Sequence, residues 1–211
     1  MKEFSVLMAL VDFLPVALFA AASVILQREL HAKMSKGAFA LFAAGTIDVI
    51  LAGAFKALYK LLYALLLCDF EKLNAVFFPM QSVGFLLAGI GILALLTHRQ
   101  SGSALAAAAP PAFSGTFLFV GAMVLGLGMM DAGLCVISAK MKKRPLILLF
   151  LLSFLCSLCM GYLSSRDFTG AAMNWIAEGV NVLGQGAFFA GTLLLCRGGL
   201  SSLPLRGEKD G

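Results

Sequence analysis

Charge is what this chain has least of. Only 13% of its 211 residues are Asp, Glu, Lys or Arg, while 61% are hydrophobic; a soluble domain carries about 25% charged and about 45–50% apolar residues. So few charged side chains cannot coat a globule of this size, which excludes a soluble enzyme and a disordered chain. A nucleic-acid partner is excluded too. The excess of 16 Lys and Arg over 11 Asp and Glu reads as loop charge at a membrane surface, not as a phosphate-binding face.

Histidine is nearly absent. His31 and His98 both fall in polar connecting segments, so no pair of imidazoles inside an apolar run is present to hold a haem or a His-rich zinc site. The motifs of membrane-embedded enzymes are missing as well: no HExxH, no Ser/His or Ser/Lys pair, no Asp-rich metal motif, no phosphate loop and no GxGxxG after a strand. The expectation is a protein that is not an enzyme, with no cofactor and no metal. Cys68, Cys135 and Cys196 lie near the ends of apolar runs and Cys156 and Cys159 inside one, which implies no disulfide framework. The CxxC spacing of the last two reads as a pair of small packing residues.

What the chain does have is long apolar runs. A spanning helix needs roughly 20 mostly apolar residues whose backbone groups bond within the helix. Six segments qualify: 4–25, 37–58 with an apolar continuation to 67, 75–97, 113–139, 146–163 and 171–196. The first has Lys2 before it and three alanines at 20–22, as a signal peptide would, but Asp12 interrupts the run and its length is that of a span. The expected fold is an all-α integral membrane protein of six transmembrane helices.

The chain also repeats itself. Ala32-Lys33-Met34-Ser35-Lys36 and Ala139-Lys140-Met141-Lys142-Lys143 agree at four of five positions, each just before an apolar run. Residues 1–99 and 113–196 then form two three-helix units. Residues 100–112, with Ser-Gly-Ser, four alanines and Pro110-Pro111, are a linker, and the Gly-, Ser- and charge-rich residues 197–211 are a cytoplasmic tail expected to be disordered. If successive spans alternate in direction, an odd number per unit makes the two units inverted repeats, an arrangement common in transporters. Under the same alternation, Lys2, Lys56, Lys60, Lys72, Lys140, Lys142, Lys143, Arg144, Arg197, Arg206 and Lys209 share one side against Arg28, Lys33, Lys36, Arg99 and Arg166 on the other. The positive-inside rule then places both termini in the cytoplasm of a multi-pass cell-membrane protein. The bilayer is the first partner, and the basic loop 140–144 suits anionic headgroups.

Ionisable groups inside apolar runs cost roughly 2.5–3.5 kcal/mol each at a helix centre and are usually turned inward. They are Asp12, Asp48, Lys56, Asp131 and Glu178, accompanied by Gln81, Asn174, Asn181 and Gln185. In the last run, Asn174, Glu178, Asn181 and Gln185 fall within roughly 60° at about 100° per residue and form one stripe about 16 Å long. Asp48, Lys56, Tyr59 and Tyr63 fall within roughly 80°, with Lys60 adjacent. The two lysines and two tyrosines fit an interfacial anchor; the sharper reading pairs Lys56 with a buried carboxylate. Asp12 and Asp131 are each eight residues from the end of an apolar run, which under alternation puts both about 12 Å below the same surface. Glycines at 126, 128 and 133 around Asp131, and Pro79 before Gln81, suggest local unwinding that frees carbonyls.

These residues point to a transporter or channel for a small solute or ion, coupled to protons or cations through its carboxylates. Glu178 is the central ligand, shaped by Asn174, Asn181 and Gln185 and faced by Gln81. The alternatives are a non-catalytic membrane subunit or sensor module, alone or as a homo-oligomer, whose buried polar groups specify helix packing, and an intramembrane enzyme of unrecognised type.

Overall fold

A computed structural model of the chain describes residues 5–97, 116–164 and 171–203. They form eight α-helices, α1 (Val6–Val11), α2 (Phe13–Leu30), α3 (Lys36–Ala64), α4 (Glu71–Ala75), α5 (Phe77–Thr97), α6 (Thr116–Lys140), α7 (Pro145–Ser164) and α8 (Ala171–Arg197), and a closing 3₁₀ turn, Leu200–Ser202. Counting α1 with α2 and α4 with α5, six helices are long and apolar enough to cross a membrane. This is a multi-pass membrane protein. The linker at 100–112 and the tail beyond 203 lie outside the described residues.

The helix ends follow from local chemistry. Ser5 and Ser35 sit in extended backbone and accept hydrogen bonds from the Met8 and Ala38 amides, both at 3.2 Å, capping α1 and α3. Pro15 has no N–H for the Val11 carbonyl and its ring crowds it, so the first span breaks between α1 and α2, and Asp12 stands at the break. Pro79 acts likewise between α4 and α5. The carbonyl it leaves free belongs to Ala75, not to the neighbourhood of Gln81 that the sequence suggested. α3 ends at Ala64 with Leu66 left-handed at φ 58° and the Leu67 amide donating back to Leu62, the same ending that Lys142 and Lys143 give α6. At 29 residues, α3 is about 43 Å long and must tilt to match a hydrocarbon layer of about 30 Å.

The helices pack through small residues. Gly45 of α3 lies against Gly84 of α5, and a methyl on either would strike the other's carbonyl. Gly126 of α6 lies on the backbone of Phe85 and Leu86 in the same way. Such close approach is how helices associate where burial from water supplies no drive. The glycines near Asp131 therefore serve packing; α6 runs unbroken through them, and the expected unwinding is absent. Outward-facing Leu14, Ile47, Leu125, Leu148, Leu155 and Leu183 remain exposed, as side chains bathed in lipid do.

The direction of each helix follows from which residues touch. Gln27 Nε2 donates to Thr46 Oγ1 at 2.7 Å while Gly53 meets Val16, so α2 and α3 are antiparallel. Gly91 meets Phe42 while Lys56 lies over Phe77, so α3 and α5 are antiparallel. Gly128 meets Phe154 while Cys135 Sγ donates to the Ile147 carbonyl, and Gly184 meets Cys156 while Gly191 meets Phe150, so α7 opposes α6 and α8. At the junction of the two units the pattern changes. Ser82 Oγ donates to the Phe119 carbonyl at 2.7 Å, Gly89 meets Met129, and Gly133 meets Ile92 and Leu96. Residue numbers rise together along this contact, so α5 and α6 run the same way.

The expectation of inverted units is thereby overturned: the first three spans and the last three take the same succession of directions. α2, α5, α6 and α8 run from the face where α1 begins, the N-face, to the opposite C-face; α3 and α7 return. Alternation fails between Thr97 and Thr116, which end and begin their helices on opposite faces. Segments 32–36 and 139–143 both lie at the C-face, the first between α2 and α3 and the second between α6 and α7.

The C-face half is a packed core in which Leu26, Phe42, Ile92, Leu134, Phe150 and Leu195 are fully buried. The chain after α8 turns back into it: Leu200 and Leu203 are buried and Lys33 Nζ donates to the Leu203 carbonyl at 2.9 Å. The disordered tail expected from residue 197 thus has an ordered start through 203.

Candidate functional site

Asp12 is held at the α1–α2 break near the N-face, 91% buried by its 9% exposure. Across from it, Lys60 of α3 forms an ion pair with Asp12, Nζ to Oδ2 at 2.5 Å. Glu178, seven residues into α8 and 5% exposed, lines the same cavity as Asp12. Its Oε1 has no hydrogen-bond partner among the described residues. Lys56, one turn before Lys60, lies within electrostatic range of Asp12 and Glu178 and places Nζ 4.0 Å above the Phe77 ring and 5.9 Å from that of Phe78. Four ionisable groups from three spans thus converge. Facing lipid singly, they would cost on the order of 10 kcal/mol together, at roughly 2.5–3.5 kcal/mol each.

They line a cavity of about 650 Å³ in the N-face half, within the roughly 300–1,000 Å³ typical of small-molecule sites. The α8 stripe forms one wall, with Asn174, Glu178, Asn181 and Gln185 all turned inward. α3 supplies Lys56, Tyr59 and Lys60, α5 supplies Gln81, and Ser157 of α7 completes the polar lining. Asn74, exposed on α4, marks where the cavity meets the surface. The deep end is apolar: Phe19, Phe85 and Leu127 line it, Phe19 is edge-on to Phe85 at 5.7 Å, and Phe188 stacks on Phe19 at 5.6 Å. Both three-helix units contribute walls.

Seven of the nine residues singled out from sequence therefore meet in one place: Glu178, Asn174, Asn181, Gln185, Asp12, Gln81 and Lys56. Asp48 and Asp131 do not. Asp48 is half-buried on α3 against Gly84, outside the cavity. Asp131 is 3% exposed, with neither carboxyl oxygen hydrogen-bonded among the described residues. It lies four residues beyond Leu127, about 6 Å deeper than the apolar floor. The shared depth expected for Asp12 and Asp131 came from assuming that spans alternate; with parallel units Asp12 belongs to the N-face half and Asp131 to the C-face half. The anchor reading of Lys56, Lys60 and Tyr59 also gives way, since all three face the cavity.

Sequence reasoning missed Lys60 as the partner of Asp12, and Asn74, Ser157 and the phenylalanine floor. Pro15, three residues after Asp12, was the available signal for a helix break there. The floor has no signal, because 18 phenylalanines in an apolar chain mark nothing singly. No group of three or more His, Cys, Asp or Glu side chains that could hold a metal occurs among the described residues. Comparison with family models, curated proteins and solved structures gives no match to this chain.

Proposed function

We propose that the protein is a membrane carrier that binds a small polar solute in the N-face cavity, between its two three-helix units. The observation that carries this reading is the convergence of Asp12, Lys56, Lys60 and Glu178 with the α8 amides on one cavity of small-molecule size. If the polar groups served only as glue between helices, they would be expected to face one another across tight contacts; instead they surround open space. The phenylalanine floor and the packed core beneath it favour a carrier over an open channel. Rocking of one unit against the other about that floor would expose the site alternately to the two faces.

Parallel units also reverse the orientation. Among the described residues, Arg28, Lys33, Lys36, Lys140, Lys142, Lys143, Arg144 and Arg197 belong to the C-face, and Lys56, Lys60 and Lys72 to the N-face. The positive-inside rule then puts the C-face in the cytoplasm, with the start of α1 and the cavity mouth outside. Basic loop 140–144 lies at the inner leaflet, where anionic headgroups would meet it. The test is a screen of small polar solutes for thermal stabilisation of the purified protein, followed by flux of the stabilising solutes into proteoliposomes. Glu178→Gln and Lys56→Met should each depress that flux at least tenfold. Flux equal to wild type in both variants, or no stabilising solute at all, would overturn the carrier reading.

A further inference from the structure

The cavity's charges do not balance once its contacts are counted. Lys60 and Asp12 neutralise one another as an ion pair. Glu178 lines the same cavity but makes no ion pair among the described residues. As a bare carboxylate it would be 5% exposed with Oε1 unpartnered, a costly arrangement for a charge, so it is counted with its proton. Lys56 is then left over. It makes no ion pair among the described residues, and its ammonium rests on the Phe77 ring beside the open cavity. The remaining ionisable side chain lining the cavity is Tyr59; α5, α6 and α7 line it without any. The protonated site therefore carries one net positive charge.

We infer that the solute is a small organic monoanion, a carboxylate with an apolar body, bound together with one proton. This rests on the carrier reading and names its substrate class. The anionic group meets Lys56, with the amides of Asn181 and Gln185 available as further donors. The apolar body lies toward Phe77, Phe78 and the floor. The proton balance is direct: with Glu178 protonated, an incoming monoanion brings the site to zero net charge. Without that proton the two lysines already cancel two carboxylates, and the anion would leave an uncompensated negative charge among buried groups. Anion and proton are thus bound together and released together. Gln81 and Asn174 widen the polar rim without altering the charge count.

The experiment uses the full chain in nanodiscs and three matched probe sets: acetate, butyrate and phenylacetate, with their amides and their amine analogues. Binding is followed by calorimetry from pH 5.5 to 8.5. The carboxylates should bind at least tenfold tighter than their amides and amines, with phenylacetate the tightest. Affinity should fall toward tenfold per pH unit once the Glu178 proton begins to leave, the limit for one linked proton, and buffers of different ionisation enthalpy should report uptake of about one proton per anion in that range. Glu178→Gln, which cannot exchange the proton, should flatten the pH dependence. Lys56→Met should abolish the preference for anions, and Lys56→Arg, a check that loss is not misfolding, should keep it. Amides or amines that bind as well as carboxylates, or carboxylate binding with no pH dependence, would overturn this assignment and leave the carrier reading intact. If none of the nine probes binds while the solute screen finds another ligand, the substrate class is likewise wrong; if neither finds one, both readings fall.

Discussion

The parallel course of α5 and α6 can be tested by cross-linking. With Ser82→Cys and Phe119→Cys, the substituted positions are held together in the parent by the 2.7 Å hydrogen bond from Ser82 Oγ to the Phe119 backbone carbonyl, so the pair lies within reach of a short bis-maleimide. With Ser82→Cys and Gly133→Cys, the second thiol moves 14 residues along α6, about 21 Å at 1.5 Å per residue, beyond that reagent's span. The five native cysteines are replaced by serine or alanine beforehand. Cleavage is engineered into the segment between the units, outside the described residues, so that a cross-link joins two fragments and shifts mobility on a denaturing gel. The expected result is a cross-link for 82/119 and none for 82/133. A cross-link for 82/133 with none for 82/119 would refute the parallel arrangement, and with it the reversed orientation and the two-unit cavity.

Three further outcomes follow from the packing. Cys68, exposed between α3 and α4 at the N-face, should react with a membrane-impermeant maleimide on intact cells; labelling only after lysis would place the N-face in the cytoplasm, and Cys68→Ser identifies the band. Lys60→Met strands the Asp12 carboxylate, which a mostly buried pair, with side-chain exposures of 17% and 10%, makes costly: about 3 kcal/mol, or roughly 6–12 °C in thermal unfolding by the scaling of soluble domains of this length. Asp12→Asn with Lys60→Met should regain part of that loss, and a double variant no more stable than Lys60→Met would mean the pair is not coupled. Gly126→Val would drive its side chain into the Phe85 backbone and should lower stability by about 3 kcal/mol, the upper end of overpacking costs, whereas Gly179→Ala, with open space around its Cβ, should change little; equal behaviour of the two would contradict the close α5–α6 contact.

Much of this architecture was legible because the bilayer imposes simple length and polarity rules. The six apolar runs match the six spans to within a few residues, except where Pro15 and Pro79 cut the first and third. The α8 stripe was legible for the same reason: Asn174, Glu178, Asn181 and Gln185 share one helical face, and periodicity alone says so. Helix direction was not legible. Alternation is a rule about connections, and it failed at the one connection whose Gly-, Ala- and Pro-rich composition gives no span signal. From that single step came the inverted units and the common depth of Asp12 and Asp131. Pairing across helices was equally hidden: Lys60 stood beside Lys56 as an apparent anchor, and only the tilt and depth of α3 bring it to Asp12.

The same geometry explains why the charged groups sit where they do. The first unit supplies Asp12, Lys56 and Lys60, and the second supplies Glu178 with the amides of α8. Asp12 and Glu178 thus face one cavity from the two sides. An anion held by Lys56 of one unit and by Asn181 or Gln185 of the other would draw them together over the cavity, and its loss would remove that tie. Solute binding can shift the relative position of the units only by the difference between its contacts in the two arrangements. A site divided between the units makes that difference large, whereas a site built within one unit would bind as tightly in either arrangement and move nothing.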